Sequence, residues 1–293
     1  MYAMEPDRIK THRIKPSLAL RTGMTISFER PLVMGILNVT PDSFSDGGAY
    51  LAREAAVAHA LQLIAEGADI IDVGGESTRP GAEPVSLDEE LRRTVPVIVA
   101  IREKSNIPIS IDSYKASVAR EALAAGADMI NDISALRFDP AMAGLAAESN
   151  VPVILMHMQG TPRDMQKNPH YDDCVAEIGT FFQERVDWCG NHGIARSRLI
   201  LDPGIGFGKR VVDNLQILKK LGEFGRFDIP ILVGASRKSF IAGVLPGSSS
   251  PPDRLSGSLA AAVVAAMHGA DILRVHDVGQ TVEALRLLEA IEG

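Results

Sequence analysis

Eight short apolar runs in this sequence close on polar groups: Asn38, Asp72, Asp112, Asn131, His157, Asp202, the segment 236–238 with Lys238, and Arg274 with His276. The carboxylates and the Asn131 amide can accept hydrogen bonds from a ligand edge rich in N–H donors. The Lys238 and Arg274 cations can meet phosphate oxygens, Arg at two points at once. Asp72, Asp112, Asn131 and Asp202 together suit either a metal site or the donor edge of a heterocycle. A metal cage of that kind would more often recruit several histidines. Only His157 and His276 stand at such positions, so the heterocycle is favoured. With cations after the last two runs, the site becomes bipolar, acidic within and cationic on the side that would take a diphosphate.

Three stretches beside these groups carry further chemistry. Residues 38–48 read Asn-Val-Thr-Pro-Asp-Ser-Phe-Ser-Asp-Gly-Gly. The final Asp-Gly-Gly is ordinary turn composition, which does not account for an amide at the start followed by Asp42 and Phe44. Asn38 can donate to a phosphate oxygen or offer its carbonyl to Mg2+. Residues 74–81, Gly-Gly-Glu-Ser-Thr-Arg-Pro-Gly, combine glycines for close approach, the Ser77 and Thr78 hydroxyls, and Arg79, which suits a carboxylate or phosphate. Residues 202–209, Asp-Pro-Gly-Ile-Gly-Phe-Gly-Lys, fail the Walker A template: Pro203 stands where the first Gly is needed, and Arg210 replaces Ser/Thr. Asp202 has a plainer alternative, an Asx turn onto its own loop. His157, alone at the end of its run, reads as a structural hydrogen-bonder.

Groups so far apart in sequence need a scaffold that gathers them. Buried parallel strands read as unbroken Val/Ile/Leu runs because both faces are covered. Eight of them alternating with amphipathic stretches predict a TIM-type (β/α)8 barrel, a single α/β domain with its chemistry at the C-terminal strand ends. A repeat supports this. Glu66-Gly67-Ala68-Asp69, Ala125-Gly126-Ala127-Asp128 and His268-Gly269-Ala270-Asp271 each precede an apolar pair and a polar tip. Gly suits the left-handed turn that ends a helix. Pro108, Pro152 and Pro230 mark three other strand starts, where a missing N–H is tolerated. The first and sixth strands are expected at 31–38 and 199–202, and helices at 52–66, 86–104, 115–125, 139–149, 172–191, 212–221, 253–268 and 281–291. A short strand or hairpin near 25–28 is expected to cover the barrel's lower end. Residues 39–51, 73–85 and 158–171 form long loops at the functional face, and the first two are expected to be mobile.

The 293 residues are 46% hydrophobic and 23% charged, the make-up of a globular protein. The division expected is a flexible N-terminal extension over 1–24 and the barrel over 25–293. A net charge of −7 argues against nucleic acid or an anionic membrane as partner. Cys174 and Cys189 should share one helix, roughly 22 Å apart at about 1.5 Å per residue, too far for a disulfide. No apolar stretch of membrane-spanning length and no signal-peptide core is evident, so the cytoplasm is the expected location.

These motifs closely resemble the dihydropteroate synthase family. The resemblance runs from Pro31 to the C-terminus through residues 34–48 and 74–81, Ile111-Asp112-Ser113, Asn131-Asp132, Met156-His157-Met158, and residues 202–209, 236–240 and 274–277. Ser258 stands where the family often has Thr. The resemblance implies a barrel that joins 4-aminobenzoate to 6-hydroxymethyl-7,8-dihydropterin diphosphate by an SN1-like route, with Mg2+. It implies that Asp112, Asn131, Asp202, Lys238 and Phe207 bind the pterin. Asn38, Arg274 and His276 would hold the diphosphate, with Asn38 on the metal. Phe44, Ser77, Thr78, Arg79, Pro80 and Ser239, with Phe207, would form the aminobenzoate pocket, and Asp42 would stabilise a methylene cation. Catalysis would then fall to Asn38, Asp42, Lys238, Arg274 and His276, and a homodimer is the family expectation. Two alternatives stand beside it: a methyltetrahydrofolate–corrinoid methyltransferase-like enzyme, and a non-catalytic pterin-binding paralogue.

Overall fold

The computed structural model of the chain describes residues 15–39, 48–77 and 81–292, and the side chains within that set except those of 48–51. Two short strands, β1 (Leu18–Ala19) and β2 (Thr25–Ile26), pair antiparallel. Eight parallel strands follow: β3 (Leu32–Asn38), β4 (Ile70–Gly74), β5 (Ile109–Asp112), β6 (Met129–Asp132), β7 (Val153–Met156), β8 (Leu199–Asp202), β9 (Leu232–Val233) and β10 (Ile272–Val275). Their order is β8-β7-β6-β5-β4-β3-β10-β9. A bridge from Leu201 to Ile231 joins the two ends and closes the barrel. Around it lie α1 (Gly48–Ala65), α2 (Leu87–Arg102), α3 (Ala116–Ala124), α4 (Ala141–Ser149), α5 (Cys174–Asn191), α6 (Val211–Lys219), α7 (Ser239–Ala242), α8 (Leu255–Met267) and α9 (Val278–Glu292). None of the described helices is long and apolar enough to cross a membrane.

The repeated motifs turn out to be stitches between strands. Gly67, Gly126 and Gly269 take φ of 102°, 113° and 97°, a region that favours glycine. The aspartate two residues later accepts a neighbouring strand's N–H: Asp69 from Val33 at 2.8 Å, Asp128 from Ile109 at 2.9 Å, Asp271 from Ile231 at 2.7 Å. The prolines use the half of the peptide they retain. The carbonyls of Pro108, Pro152 and Pro230 accept from Ile71, Ile130 and Leu201 at 2.9–3.0 Å.

Side chains alternate along each strand, and this sorts the barrel interior into layers. The lower layer is apolar: Met34, Ile70, Met129, Ile154, Ile200, Leu232 and Ile272, capped from below by Leu18, Leu20, Ile26 and Phe28. Two residues further along the same strands stand Asp72, Asn131, Asp202 and Arg274. Leu18 and Leu20 are buried in this plug, so the folded unit begins before residue 25, where the sequence had suggested it. An apolar plug needs both arms of the hairpin to cover it. Asp72 is likewise not a strand tip: β4 continues to Gly74, and Asp72 is fully buried inside the barrel. The short α7 replaces part of what looked like loop, and α1 starts at Gly48 within the expected turn.

Candidate active site

The polar layer centres on Arg274. Its Nε donates to Asp72 Oδ2 and its Nη2 to Asp112 Oδ2, both at 2.6 Å. Asp72 also accepts from Asn131 Nδ2, at 3.2 Å for the nearer oxygen. Strands β3, β4, β5, β6 and β10 set these groups side by side, because Asp72 pairs in register with Ile36, Asp112 with Asn131, and Arg274 with Met34. Burial opposes the charge on Arg274, yet Asp72 and Asp112 outweigh it and raise its hold on the proton. Burial pushes the Asp112 carboxyl up to about 7, with Arg274 opposing and Asp72 adding to the rise. The sequence reading assigned Arg274 to the diphosphate end of the substrate and Asp112 to its pterin ring. The structure joins them in one ion pair, which leaves Nη1 of Arg274 as the guanidinium end without a carboxylate among the described residues.

Asp202 ends β8. Its Oδ1 accepts the Gly204 N–H at 2.7 Å, the Asx-type turn weighed as its plainer role. The turn occupies one oxygen of a carboxylate that is only 6% exposed, leaving acceptor capacity toward the barrel mouth. Burial pushes this carboxyl up to about 6, against the Gly204 N–H and the Lys238, Arg274 and Lys209 charges. Phe207, in the following loop, is buried with Ile133, Met156, Met158 and Met165. Lys238 Nζ lies 4.1 Å from its ring centroid. Gly206 has φ of 81°, and a Cβ there would meet the Lys238 stem at 3.1 Å, so glycine lets the lysine pass. A flat apolar face, a cation above it and buried acceptors at its edge are what a polar aromatic ring requires.

His276 follows β10 and is fastened to Ser236, whose Oγ lies 3.1 Å from His276 Nδ1 and accepts the His276 N–H at 3.2 Å. Burial first, then the Arg274 and Arg237 cations, push the imidazole down to about 3. It is therefore neutral, and a Ser236 hydroxyl that donates to Nδ1 leaves Nε2–H as the free donor. His276 can offer a diphosphate a hydrogen bond but no charge. Asn38 stands at the end of β3, half-buried, with no side-chain hydrogen bond among the described residues. Ser239 is exposed as the first residue of α7, and Ser77 is half-buried. Asp42, Phe44, Thr78, Arg79 and Pro80 lie outside the described residues.

Two neighbours of the expected site face elsewhere. Arg237, held at φ 57°, pairs with Asp277 through Nε at 3.0 Å and through Nη2. Its N–H donates to Ser258 Oγ, which itself donates to the Arg254 carbonyl. A hydroxyl serves both bonds, so Ser and Thr are equivalent at 258. His157 is structural, as expected: it is buried, and Lys209 Nζ lies 2.9 Å from its Nδ1.

Sequence reasoning missed the groups that fasten the loops. Lys115 Nζ donates to Glu76 Oε2 and Glu90 Oε2 at 2.5 Å each and to the Val85 carbonyl at 2.6 Å. Glu76 also accepts from Tyr114 Oη at 2.8 Å and from the Val85 N–H at 3.3 Å. The two ends of the β4–α2 loop are thus tied together at Glu76 and Val85. The available signal was Tyr114-Lys115, three residues past Asp112, but lysine beside a strand end is usually a surface residue.

Residues 34–276 match the family model described as pterin binding enzyme. The dihydropteroate synthase of Escherichia coli K12 is 53% identical over 268 residues, 92% of this chain and 94% of that protein. A Xanthomonas albilineans dihydropteroate synthase solved with 4-aminobenzoic acid superposes with a TM-score of 0.89 at 49% identity, covering 95% of this chain and 99% of that one. A structure of that organism's enzyme with 7,8-dihydropteroate gives 0.84 at 43%, covering 95% and 99%. Every barrel strand but the first two residues of β3 falls inside the family match, and the chain belongs to the dihydropteroate synthase family of pterin-binding enzymes.

Proposed function

We propose that this chain joins 4-aminobenzoate to 6-hydroxymethyl-7,8-dihydropterin diphosphate, forming 7,8-dihydropteroate and pyrophosphate. The observation that carries this reading is the acceptor set at one barrel mouth, buried Asp202 and Asn131 with half-buried Asp112, beside Phe207 and Lys238. An ionised Asp202 can accept from the 2-amino group and ring N–H of a pterin, while Lys238 donates to its acceptor side. A ring lacking those groups would leave buried polar atoms unpaired and be rejected.

The diphosphate would lie toward Asn38, Arg274 Nη1 and His276 Nε2–H. Among the described residues no group of three or more His, Cys, Asp or Glu could hold a metal. Mg2+ usually takes one or two protein oxygens, several waters and substrate phosphates, and the Asn38 amide oxygen fits that modest demand. When bound, Mg2+ would neutralise charge on the leaving diphosphate. The C–O bond to the pterin methylene breaks, the amine nitrogen bonds to that carbon and then loses a proton. Asp42 would stabilise the developing cation. The neutral aromatic amine needs orientation more than deprotonation, which the loop residues Phe44, Ser77, Thr78, Arg79 and Pro80, with Ser239, would supply.

We further propose a cytoplasmic homodimer. Both cysteines are buried and free, which fits a reducing compartment. Val211, Val212 and Leu215 on α6, Val244 and Leu245 after α7, and Val264 and Met267 on α8 are exposed apolar residues on neighbouring helices. A second copy would cover them, and sedimentation equilibrium reads this directly.

The deciding experiment measures pyrophosphate release and dihydropteroate formation from the pterin diphosphate, with and without 4-aminobenzoate and Mg2+. Dihydropteroate formation that needs all three is expected. Its absence refutes the reading, and pterin binding without turnover would mark a non-catalytic paralogue.

A further inference from the structure

Lys209 is 3% exposed, and its ammonium meets three neutral acceptors rather than a carboxylate: His157 Nδ1 at 2.9 Å, the His157 carbonyl at 3.3 Å and the Phe207 carbonyl at 3.1 Å. A buried cation without a directly bonded anion is costly, so its retention calls for a local reason. The loop it closes provides one. Residues 203–208 lie flat against the chain after β7, backbone on backbone. A Cβ at Gly204 would stand 2.0 Å from the His157 carbonyl oxygen, and one at Gly208 would stand 2.5 Å from that of Gln159. Gly204, Gly206 and Gly208 all take positive φ. Lys209 is sewn across the same junction from within, while Tyr171 Oη and Gln166 Nε2 bond the Gly208 and Gly206 carbonyls at 2.8 and 2.7 Å.

We propose that Lys209 is a positioning residue for pterin recognition: its buried ammonium pins the 203–208 loop to the end of β7 and so sets both Asp202 and Phe207. This rests on the pterin reading of that site. The ammonium reaches the substrate groups at two points. Its bond to the Phe207 carbonyl fixes the residue that offers the aromatic face, and its charge acts on Asp202 at the loop's other end. The charged and titratable groups that face it are Asp202 at the end of β8, Asp213 on α6, Cys174 on α5, Tyr171 just before α5, Lys238 before α7, and His157. Burial pushes Lys209 down to about 7, and burial with the Lys209 charge lowers His157 well below its ordinary value. Below about pH 7 the proton therefore stays on Lys209, and His157 accepts through Nδ1. A neutral side chain at 209 would lose the bonds and also remove one of the charges that favour ionised Asp202.

The test uses the full chain with Lys209→Met and Lys209→Arg. Titration calorimetry follows binding of 6-hydroxymethylpterin between pH 5 and 9. Lys209→Met is expected to weaken binding roughly tenfold or more near pH 7, where much of the parent's Lys209 is still an ammonium, and to move the acid limb of the affinity profile upward. Lys209→Arg is expected to restore the acid limb, since it keeps the charge. Carbon-13 NMR of the Asp202 carboxyl in the ligand-free protein should show the same upward movement in Lys209→Met. Unchanged affinity, or uniform weakening with an unmoved acid limb, would overturn the proposal. If the parent chain does not bind the pterin, the site reading fails by itself, and the NMR titration still decides the link from Lys209 to Asp202. Should Lys209→Met not fold, His157→Leu removes the acceptor alone, and unaltered pterin affinity in it overturns the proposal too.

Discussion

The two ends of the barrel interior are built from the same strands and could hardly differ more. Ile200 and Asp202 both point inward from β8, one period of the pleat apart, yet Ile200 sits in an apolar plug and Asp202 in a ring of charges. The same step separates Ile70 from Asp72, Met129 from Asn131, and Ile272 from Arg274. The lower layer gains stability from apolar burial. The upper layer gives stability up, because Asp112 and Asp202 are held against a preference to be neutral. A buried charge that its neighbours only partly compensate is retained for what it will bind.

The sharpest way to break this contrast is to mutate both residues on β8. Ile200→Ala should destabilise the protein by about 2–5 kcal/mol through the cavity it leaves, while the folded fraction keeps its pterin affinity. Asp202→Asn should do the reverse. Calorimetry should find pterin binding lost, since an amide presents one acceptor where the ring needs two. In denaturant unfolding at pH 8 the ligand-free variant should be more stable than the parent by up to about 3 kcal/mol, the equivalent of raising a carboxyl from 3.8 to about 6. The sign follows from linkage. The native state holds this proton more tightly than the unfolded chain, so the cost is full above pH 6 and fades as pH falls through 6 toward 3.8. A less stable Asp202→Asn at pH 8, or a tight-binding one, would remove the distinction between the layers.

A second, smaller effect separates the two substrates within the upper half. The pterin groups sit on strands and on a loop bonded along its backbone. The β4–α2 loop is tied at its neck by side chains, chiefly Lys115 with Glu76. Lys115→Met should therefore raise KM for 4-aminobenzoate about tenfold and leave that for the pterin diphosphate within about twofold. Equal rises in both constants would show that the neck serves the whole mouth. The smallest expected effect lies at Ser258, where Thr keeps both hydroxyl bonds. Ser258→Thr should stay within about 0.5 kcal/mol in stability and near parental turnover, and a clear loss would mean that the site wall is packed more tightly than those bonds imply.

Much of the architecture was legible from residue order. The β8 bounds at 199–202, the shared helix of Cys174 and Cys189, and the three Gly-x-Asp repeats reflect local demands that any chain must meet. The repeats showed less of what they do: nothing local says that Asp128 will accept the Ile109 N–H from another strand. Among the expected site residues, Asp202, Asn131 and Lys238 were readable as polar groups near strand ends, whereas Phe207 entered only through the family resemblance. Arg274 was found as a cation, but the carboxylates that would hold it were not, because Asp72 and Asp112 lie 202 and 162 positions away in the chain.

Sequence by itself therefore determined the barrel, its polar mouth and its family, since these depend on periodicity, turn residues and motif spacing carried within short segments. Only the tertiary structure decided depth, pairing and charge state. It showed Asp72 as a buried brace and not a tip, His276 as a neutral donor, residues 15–24 as part of the folded unit, and Lys209 and Lys115 as the ties beneath two loops. Those properties come from desolvation and from contacts between strands brought together by closure, and neither exists until the chain has folded.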